Sequence, residues 1–202
     1  MKKILIKLII PVSSLLLAAF LISAIPTESD FEIYGKVVRL HVLANSNSES
    51  DQALKLKVRD ELLLYVEELT SGCKSREEAE AILKSNLDEI KTEAEKALIK
   101  NGSTLSASVS IGKEKYPSRE YDGVRLPAGE YCSLRVMLGE AEGKNWWCVL
   151  FPSLCRGGAT TVEEKLVDVG FTPGQVQIIT DSDSPRYKLK FKILEIIGEL
   201  FS

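Results

Sequence analysis

Residues 38–69 read VRLHVLANSNSESDQALKLKVRDELLLYVEEL, and this stretch decides the fold class. Its apolar residues first alternate with Arg39 and His41, and this period of two predicts a half-buried β-strand with His41 on the solvent side. The polar run 45–51 that follows is typical of a turn and a helix start. Apolar residues then recur at the spacing of an amphipathic helix, at Leu54, Val58, Leu62, Tyr65 and Leu69.

A second helix and a further strand are predicted downstream of this stretch. The helix is expected to begin with a capping box formed by Ser75 and Glu78 and to end at Asn101-Gly102. Over residues 104–111, apolar residues alternate strictly with serine or threonine. This alternation predicts a strand with one face on the core and the other in solvent.

Two later segments are predicted to pair as a β-hairpin. They are residues 131–138 and 145–151, and the loop 139–144 would connect them. The order of one strand, two helices and several strands indicates an α+β domain, in which a mostly antiparallel sheet packs against two helices.

Residues 1–25 form a candidate export or membrane segment. Lys2, Lys3 and Lys7 precede an uncharged run over residues 8–25, which would be about 27 Å long as a helix. Such a run is an export signal, a membrane anchor or both. The small residues that a signal peptidase requires are out of register near Ala24, which favours a retained anchor. The lysines would keep the N-terminus in the cytoplasm and place the rest of the chain across the membrane.

The remaining chain is expected to form one folded domain with three appendages. A polar stalk (26–37) leads to the α+β domain (38–155), and a loosely structured connector (156–185) leads to a C-terminal amphipathic helix (186–202). That helix would dock on its own domain, on a partner or on a bilayer surface. Hydrophobic residues make up 45% and charged residues 27%, which is ordinary for a globular protein. The net charge of −3 gives no reason to expect a nucleic-acid partner.

Four cysteines would enter an oxidising compartment if the chain is exported. The cysteines are Cys73, Cys132, Cys148 and Cys155, and they could form two disulfides in three different pairings. We predict a disulfide between Cys148 and Cys155, because they are close in sequence and Pro152 between them can turn the chain back. A cysteine nucleophile paired with His41 is an alternative, whereas a zinc site is disfavoured because His41 is the only histidine.

Both tryptophans are adjacent, at Trp146 and Trp147. Tryptophan is common in protein cores and in the central residues of interfaces. On a strand the two rings must point to opposite faces, so one of them is expected to lie outside the main core.

The start of the first helix carries the other candidates for partner binding. Lys55 and Arg59 are four residues apart on one helix face, with Asp51 one turn earlier and Asn45 at the beginning of the turn. These residues form an anion site or a partner surface if they are functional, and a solvated helix face if they are not. With the tryptophans, the partner-binding candidates are Asn45, Asp51, Lys55, Arg59, Trp146 and Trp147.

No catalytic constellation is recognisable in the sequence. It contains no phosphate loop, dinucleotide fingerprint or paired zinc motif, so we expect no catalytic residue, cofactor or metal. A second class of function is an extracytoplasmic hydrolase, such as one of the cell wall, with carboxylates such as Glu130 or Asp51 as acid and base. Such an enzyme would place two carboxyl groups about 5 to 9.5 Å apart in a cleft.

Two blocks of the chain carry a family resemblance. The first consists of RLHVLANSNS (39–48) and DQALKLKVRD (51–60), and the second of PAGEY (127–131), NWWCVLFP (145–152) and LC (154–155). These blocks resemble the stage II sporulation protein R family over residues 38–155. The resemblance implies a signal that is made in the forespore of an endospore-forming bacterium and exported into the space between the forespore and mother-cell membranes. There it would activate the membrane-embedded peptidase that processes the pro-form of sigma factor E, a role that needs no catalytic residues.

Overall fold

The computed structural model describes residues 2–25, 32–121, 123–155, 161–181 and 184–200. Its elements, in chain order, are α1 (Lys2–Ala24), a 3-10 turn (Glu32–Lys36), β1 (Val38–Leu43), α2 (Glu49–Thr70), α3 (Arg76–Ser85), α4 (Leu87–Lys100), β2 (Ala107–Tyr116), β3 (Arg119–Tyr121), β4 (Val124–Leu126), β5 (Gly129–Leu138), β6 (Asn145–Phe151), α5 (Val162–Asp168), α6 (Pro173–Thr180) and α7 (Pro185–Leu200). The predicted α+β class is confirmed.

Four strands form one mixed sheet in the order β2-β5-β1-β6, in which two of the three strand pairs are antiparallel, in line with the predicted mostly antiparallel sheet. β1 is parallel to β5 and antiparallel to β6, while β2 is antiparallel to β5. The predicted hairpin between β5 and β6 is wrong, because β1 lies between them. The loop that joins β5 to β6 instead crosses the end of β1. There the N–H groups of Glu142 and Gly143 donate to the carbonyl oxygens of Asn45 and Ala44.

Three helices cover one face of the sheet, where two were predicted. The expected second helix is divided at Asn86, whose side-chain amide donates to the carbonyl oxygen of Ile82 at 2.7 Å and so ends α3. Ser75 caps α3 as predicted by accepting from the N–H of Glu78, although the Glu78 carboxylate accepts from the N–H of Lys74 instead of Ser75. The main core lies between these helices and the sheet.

A second core covers the opposite face, which the sequence pattern had assigned to solvent. It is formed by the 3-10 turn, the β3–β4 hairpin and the C-terminal helices. β1 is therefore buried on both faces, and His41 is only 6% exposed. The prediction of His41 as a surface residue is wrong because alternation reveals the polarity of a strand's two faces and not what covers them.

The predicted connector contains two helices rather than loose structure. Thr161 and Thr172 each begin a helix with a complete capping box, and Pro173 occupies the first turn of α6. Buried residues of this region, such as Phe171 and Ile179, belong to the second core. Residues 156–160 of the connector lie outside the described residues.

The predicted stalk also contributes to the second core. Its described part, residues 32–37, includes the 3-10 turn and buries Ile33 and Val37 completely. Residues 26–31 lie outside the described part of the chain.

The two ends of the chain are helical. α7 buries Tyr187, Phe191 and Leu194 in the second core. Of the three docking sites that were considered for the C-terminal helix, the structure thus shows its own domain. α1 contacts α7. Among the residues that the structure describes, no helix combines the length and the apolar character needed to cross a membrane.

Candidate functional site

Five of the six partner-binding candidates lie at one corner of the domain. β1 and β6 are antiparallel, so the end of β1 meets the beginning of β6, and α2 begins next to both. We call this region the Trp146 corner, and it comprises Asn45, Asp51, Lys55, Arg59, Asp60 and Trp146. Trp147 points to the opposite face of the sheet, as the alternation of strand side chains requires.

Arg59 and Trp146 are in contact at this corner. The Arg59 guanidinium carbon lies 4.7 Å from the centre of a Trp146 ring, within the range of a cation–π interaction. Arg59 also pairs with Asp60 at 2.6 Å, and the Asp60 side chain is 62% exposed. Trp146 is half-buried and packs against the margin of the main core. The corner therefore presents an aromatic ring with the positive charge of Arg59 and the negative charge of Asp60 next to it.

The turn between β1 and α2 is fixed by hydrogen bonds to Asp51. One Asp51 oxygen accepts from the Asn45 amide at 2.8 Å and from the Ser46 hydroxyl at 2.6 Å. The hydrogen bond from Ser46, followed by that from Asn45, lowers the pKa of the Asp51 carboxyl. Asn45 also accepts from the N–H of Glu140 at 3.0 Å. Asn45 and Asp51 thus hold the shape of the turn, and their polar atoms are engaged within the chain.

Lys55 is buried, so the solvated-face interpretation is wrong for this residue. It is 4% exposed, and its ammonium group donates to the Gln52 side-chain oxygen at 2.9 Å and to the Lys144 carbonyl oxygen at 2.7 Å. Burial, with smaller contributions from Arg59 and Lys144, lowers the pKa of the Lys55 amine below its ordinary value. Lys55 therefore ties α2 to the loop that precedes β6.

Trp147 belongs to a packed aromatic cluster on the other face. It lies 5.5 Å from the His41 ring, 6.2 Å from Tyr116 and 4.6 Å from the guanidinium carbon of Arg119. The His41 nitrogens contact Glu114 Oε1 at 2.8 Å and Asn145 Oδ1 at 2.9 Å. His41 is thus enclosed by strands on both sides, and its contacts do not include a cysteine.

Arg39 is a buried cation that the sequence reasoning missed. It is fully buried among the rings of Tyr116, Tyr121 and Tyr131, at 4.2, 5.1 and 5.0 Å from their centres. Its Nε donates to the Cys148 carbonyl oxygen at 3.0 Å and Nη2 donates to the Tyr121 hydroxyl, whereas Nη1 has no hydrogen-bond partner among the described residues. The apolar residues of the connector were the available signal that this face is covered.

The predicted disulfide is present. Cys148 and Cys155 are bonded, with 5.7 Å between their Cα atoms. It connects β6 to the loop that follows, where the N–H of Leu154 donates to the Val149 carbonyl oxygen. Cys73 and Cys132 are free thiols in the main core, and burial raises the pKa of both, that of Cys132 to about 11.

The two carboxylates suggested for a hydrolase do not form a pair. Glu130 lies on β5 next to the beginning of β1, because Val38 is opposite Cys132, whereas Asp51 contacts the turn after the end of β1. They therefore lie at opposite ends of the sheet. Glu130 lines a cleft of about 420 Å³, but it is paired there with Lys113 at 3.1 Å.

Comparisons with known proteins agree with the resemblance of the sequence blocks. The family model of stage II sporulation protein R matches residues 34–161. Stage II sporulation protein R of Bacillus subtilis (strain 168) is 42% identical over 124 residues, which are 59% of this chain and 54% of that protein. The chain thus spans about half the length of this curated relative. No solved structure matches the chain.

These matches define the chain as a sporulation protein. It belongs to the stage II sporulation protein R family. The matched region, residues 34–161, includes the whole sheet, helices α2 to α4, the Trp146 corner and the disulfide.

Proposed function

We propose that this chain is an exported signal that activates the membrane-embedded peptidase processing pro-sigma factor E. The observation that carries the proposal is the family membership over residues 34–161. In this view the chain acts from the space between the forespore and mother-cell membranes, and binding shifts the peptidase towards its active conformation. Residues 1–25 would serve as the export signal or as a membrane tether, on account of the uncharged run over residues 8–25.

The Trp146 corner supports a binding role better than the other candidate residues. Tryptophan and arginine are the residues that most often dominate the free energy of an interface. Here Arg59 lies over a ring of the half-buried Trp146, and the neighbouring Asp60 offers a second charge. A preordered ring loses little conformational entropy when a partner covers it.

Trp147 is assigned a structural role instead. It contacts His41, Tyr116 and Arg119 on three strands, β1, β2 and β3. Its truncation would remove packing from the second core, and a loss of activity would then follow from unfolding. Asn45, Asp51 and Lys55 support the corner by fixing the turn and the loop behind it.

Co-expression of the full chain with the peptidase and its sigma-factor substrate in a non-sporulating host tests the proposal. Substrate cleavage is measured on a gel. The wild-type chain is expected to produce cleavage, and Trp146→Ala or Arg59→Ala to reduce it at least tenfold, since central interface residues typically contribute about 2 kcal/mol or more.

Arg119→Ala is the matched control, because it removes the equivalent cation–π contact from Trp147. It should leave cleavage within about threefold of wild type. Circular dichroism must show that all three variants are folded. Absence of cleavage by the wild-type chain would refute the signalling role, whereas wild-type activity of folded Arg59→Ala and Trp146→Ala would refute the contact surface alone.

A further inference from the structure

β2 forms an open edge of the sheet within the described part of the chain. All ten residues of β2 pair with β5 in one unbroken register, from Ala107 opposite Leu138 to Tyr116 opposite Gly129. β2 is the first strand in the order of the sheet, and within the described ranges no strand pairs with its other side. A strand in this position presents unpaired N–H and C=O groups to which another extended chain can bind.

The direction of the β2 backbone groups follows from two hydrogen bonds. The N–H of Gly139 donates to the Ser106 carbonyl oxygen, so the backbone N–H and C=O groups of Ser106 point towards β5. Because these groups alternate in direction along a strand, those of residues 108, 110, 112, 114 and 116 point towards β5 as well. The N–H of Ala107 points away and donates to the Glu95 carboxylate of α4 at 3.4 Å. The outward N–H and C=O groups are therefore those of Val109, Ile111, Lys113 and Lys115.

The other edge strand, β6, differs because the chain that follows it contacts the C-terminal part of the strand. The Cys148–Cys155 disulfide folds the chain back on this edge, and the N–H of Leu154 donates to the Val149 carbonyl oxygen. Natural sheets usually protect both edges by such means, by bulges, by proline or by charged side chains such as lysine. β2 has a continuous register and no proline in residues 107–116, so beyond Ala107 its outward backbone groups are protected only by the charged side chains at 113–115.

The side chains along this edge specify a partner of defined chemistry. Val109 and Ile111 are half-buried against the main core, so each still has apolar surface available. Lys113 and Lys115 follow on the same face, and both are exposed. Lys113 is paired with Glu130, while the structure shows no ion pair for Lys115 in the described part of the chain. Glu130 is the β5 residue opposite Lys115, so the two lysines share one carboxylate and an acidic residue of a partner would meet a net positive charge.

We propose that β2 binds an extended segment of a partner protein as a fifth strand of the sheet. The segment would run antiparallel to β2, with acidic residues opposite Lys115 and Lys113 and apolar residues opposite Ile111 and Val109. Backbone hydrogen bonds would supply affinity, and the alternate side chains would supply specificity. This binding surface does not depend on the peptidase role proposed above.

A synthetic peptide with acetylated and amidated ends tests the proposal. Its sequence, Thr-Glu-Thr-Glu-Thr-Val-Thr-Val-Thr, has acidic and apolar residues at the required alternate positions. A matched peptide carries lysine in place of both glutamates. Fluorescence anisotropy with the full chain should give an affinity for the acidic peptide at least about tenfold higher than for the basic one.

Amide exchange measured by NMR on the wild-type chain locates the binding. The acidic peptide should slow exchange of the outward amides of Val109 and Ile111. The amides of Ser110 and Gly112, which already bond to β5, should change little. Unchanged exchange at Val109 and Ile111 with the peptide at saturation would overturn the proposal, as would formation of a β2-dependent dimer that excludes the peptide.

Proline substitution separates backbone pairing from side-chain effects. The Lys113 N–H points outward, so Lys113→Pro removes one donor for the added strand and leaves the ladder to β5 intact. It should weaken peptide binding about tenfold or more, while Lys113→Ala, which retains the N–H, should weaken it less than about threefold. Equal affinities of the two folded variants would contradict strand addition.

Discussion

Removal of the Cys148–Cys155 disulfide should destabilise the domain by an amount that the loop length determines. The two cysteines are seven residues apart in sequence. Closing a loop of this size in the unfolded chain corresponds to about 2.5 kcal/mol on the chain-entropy model. Replacement of both cysteines by alanine is the appropriate perturbation. Cys148 is buried, so a serine hydroxyl there would add a separate cost of burying a polar group.

Urea unfolding followed by circular dichroism measures this effect. With a slope of about 2.5 kcal/mol per molar urea, the loss corresponds to a midpoint shift of about 1 M. The Cys148→Ala/Cys155→Ala variant should unfold at the lower concentration with an unchanged slope. The wild-type chain should move to a similar midpoint when a reducing agent is added.

The free cysteines provide the control for this measurement. Cys73 and Cys132 are not bridged, so a reducing agent should not change the midpoint of the double variant. The reasoning would be refuted by a midpoint of the oxidised wild type within about 0.2 M of the double variant, since that corresponds to only about 0.5 kcal/mol. An equal response of both proteins to the reducing agent would contradict it as well.

Three further predictions concern other parts of the chain. Gly143→Ala should lower the free energy of unfolding more than Gly112→Ala does in urea titrations, because a Cβ at Gly143 would lie 2.2 Å from a backbone oxygen while Gly112 has open space. Burial raises the pKa of Tyr116 and Tyr131. The contribution of these neutral buried phenols to the free energy of unfolding is therefore complete below about pH 10 and is lost at higher pH. Absorbance at 295 nm should show both phenols ionising only as the protein unfolds. Finally, N-terminal sequencing of the exported protein should find molecules that retain α1, and a single start after residue 24 in every molecule would identify α1 as a cleaved signal.

Local patterns predicted the elements that depend on neighbouring residues. The period-two and helical spacings of residues 38–69 correctly indicated β1 and α2, and Ser48 caps α2 within the predicted turn. The alternation rule also placed Trp146 and Trp147 on opposite faces. The Cys148–Cys155 disulfide could be predicted because short sequence separation itself brings the two residues together.

The strand order could not be obtained in the same way. A hairpin between β5 and β6 satisfies every local rule, yet β1 lies between them and pairs parallel to β5 and antiparallel to β6. Pairing of β1 with β5 joins residues nearly one hundred positions apart, as in Val38 opposite Cys132. No periodicity within a segment contains information about such a partner.

The burial of charged residues was missed for a related reason. Arg39, His41 and Lys55 were assigned to solvent because charged and polar residues usually lie there. Each becomes buried through a distant segment. The β3–β4 hairpin and tyrosines cover Arg39, Glu114 and Trp147 contact His41, and the loop before β6 accepts a hydrogen bond from Lys55. The structure brings five of the six candidates to one corner, where Asn45, Asp51 and Lys55 hydrogen-bond within the chain, and a contact role for Arg59 and Trp146 stays a prediction.

The positions of the two proposed binding surfaces have a consequence for how a partner can bind. The open edge is β2 and the Trp146 corner lies on β6, and these strands are the two ends of the sheet. With about 4.8 Å between neighbouring strands, they are about 14 Å apart across the sheet. One added strand on β2 cannot cover Trp146, so a single short segment cannot occupy both surfaces. A partner that uses both must contact the domain with two separate segments, and substitutions at Lys113 and Arg59 then act on independent parts of the interface.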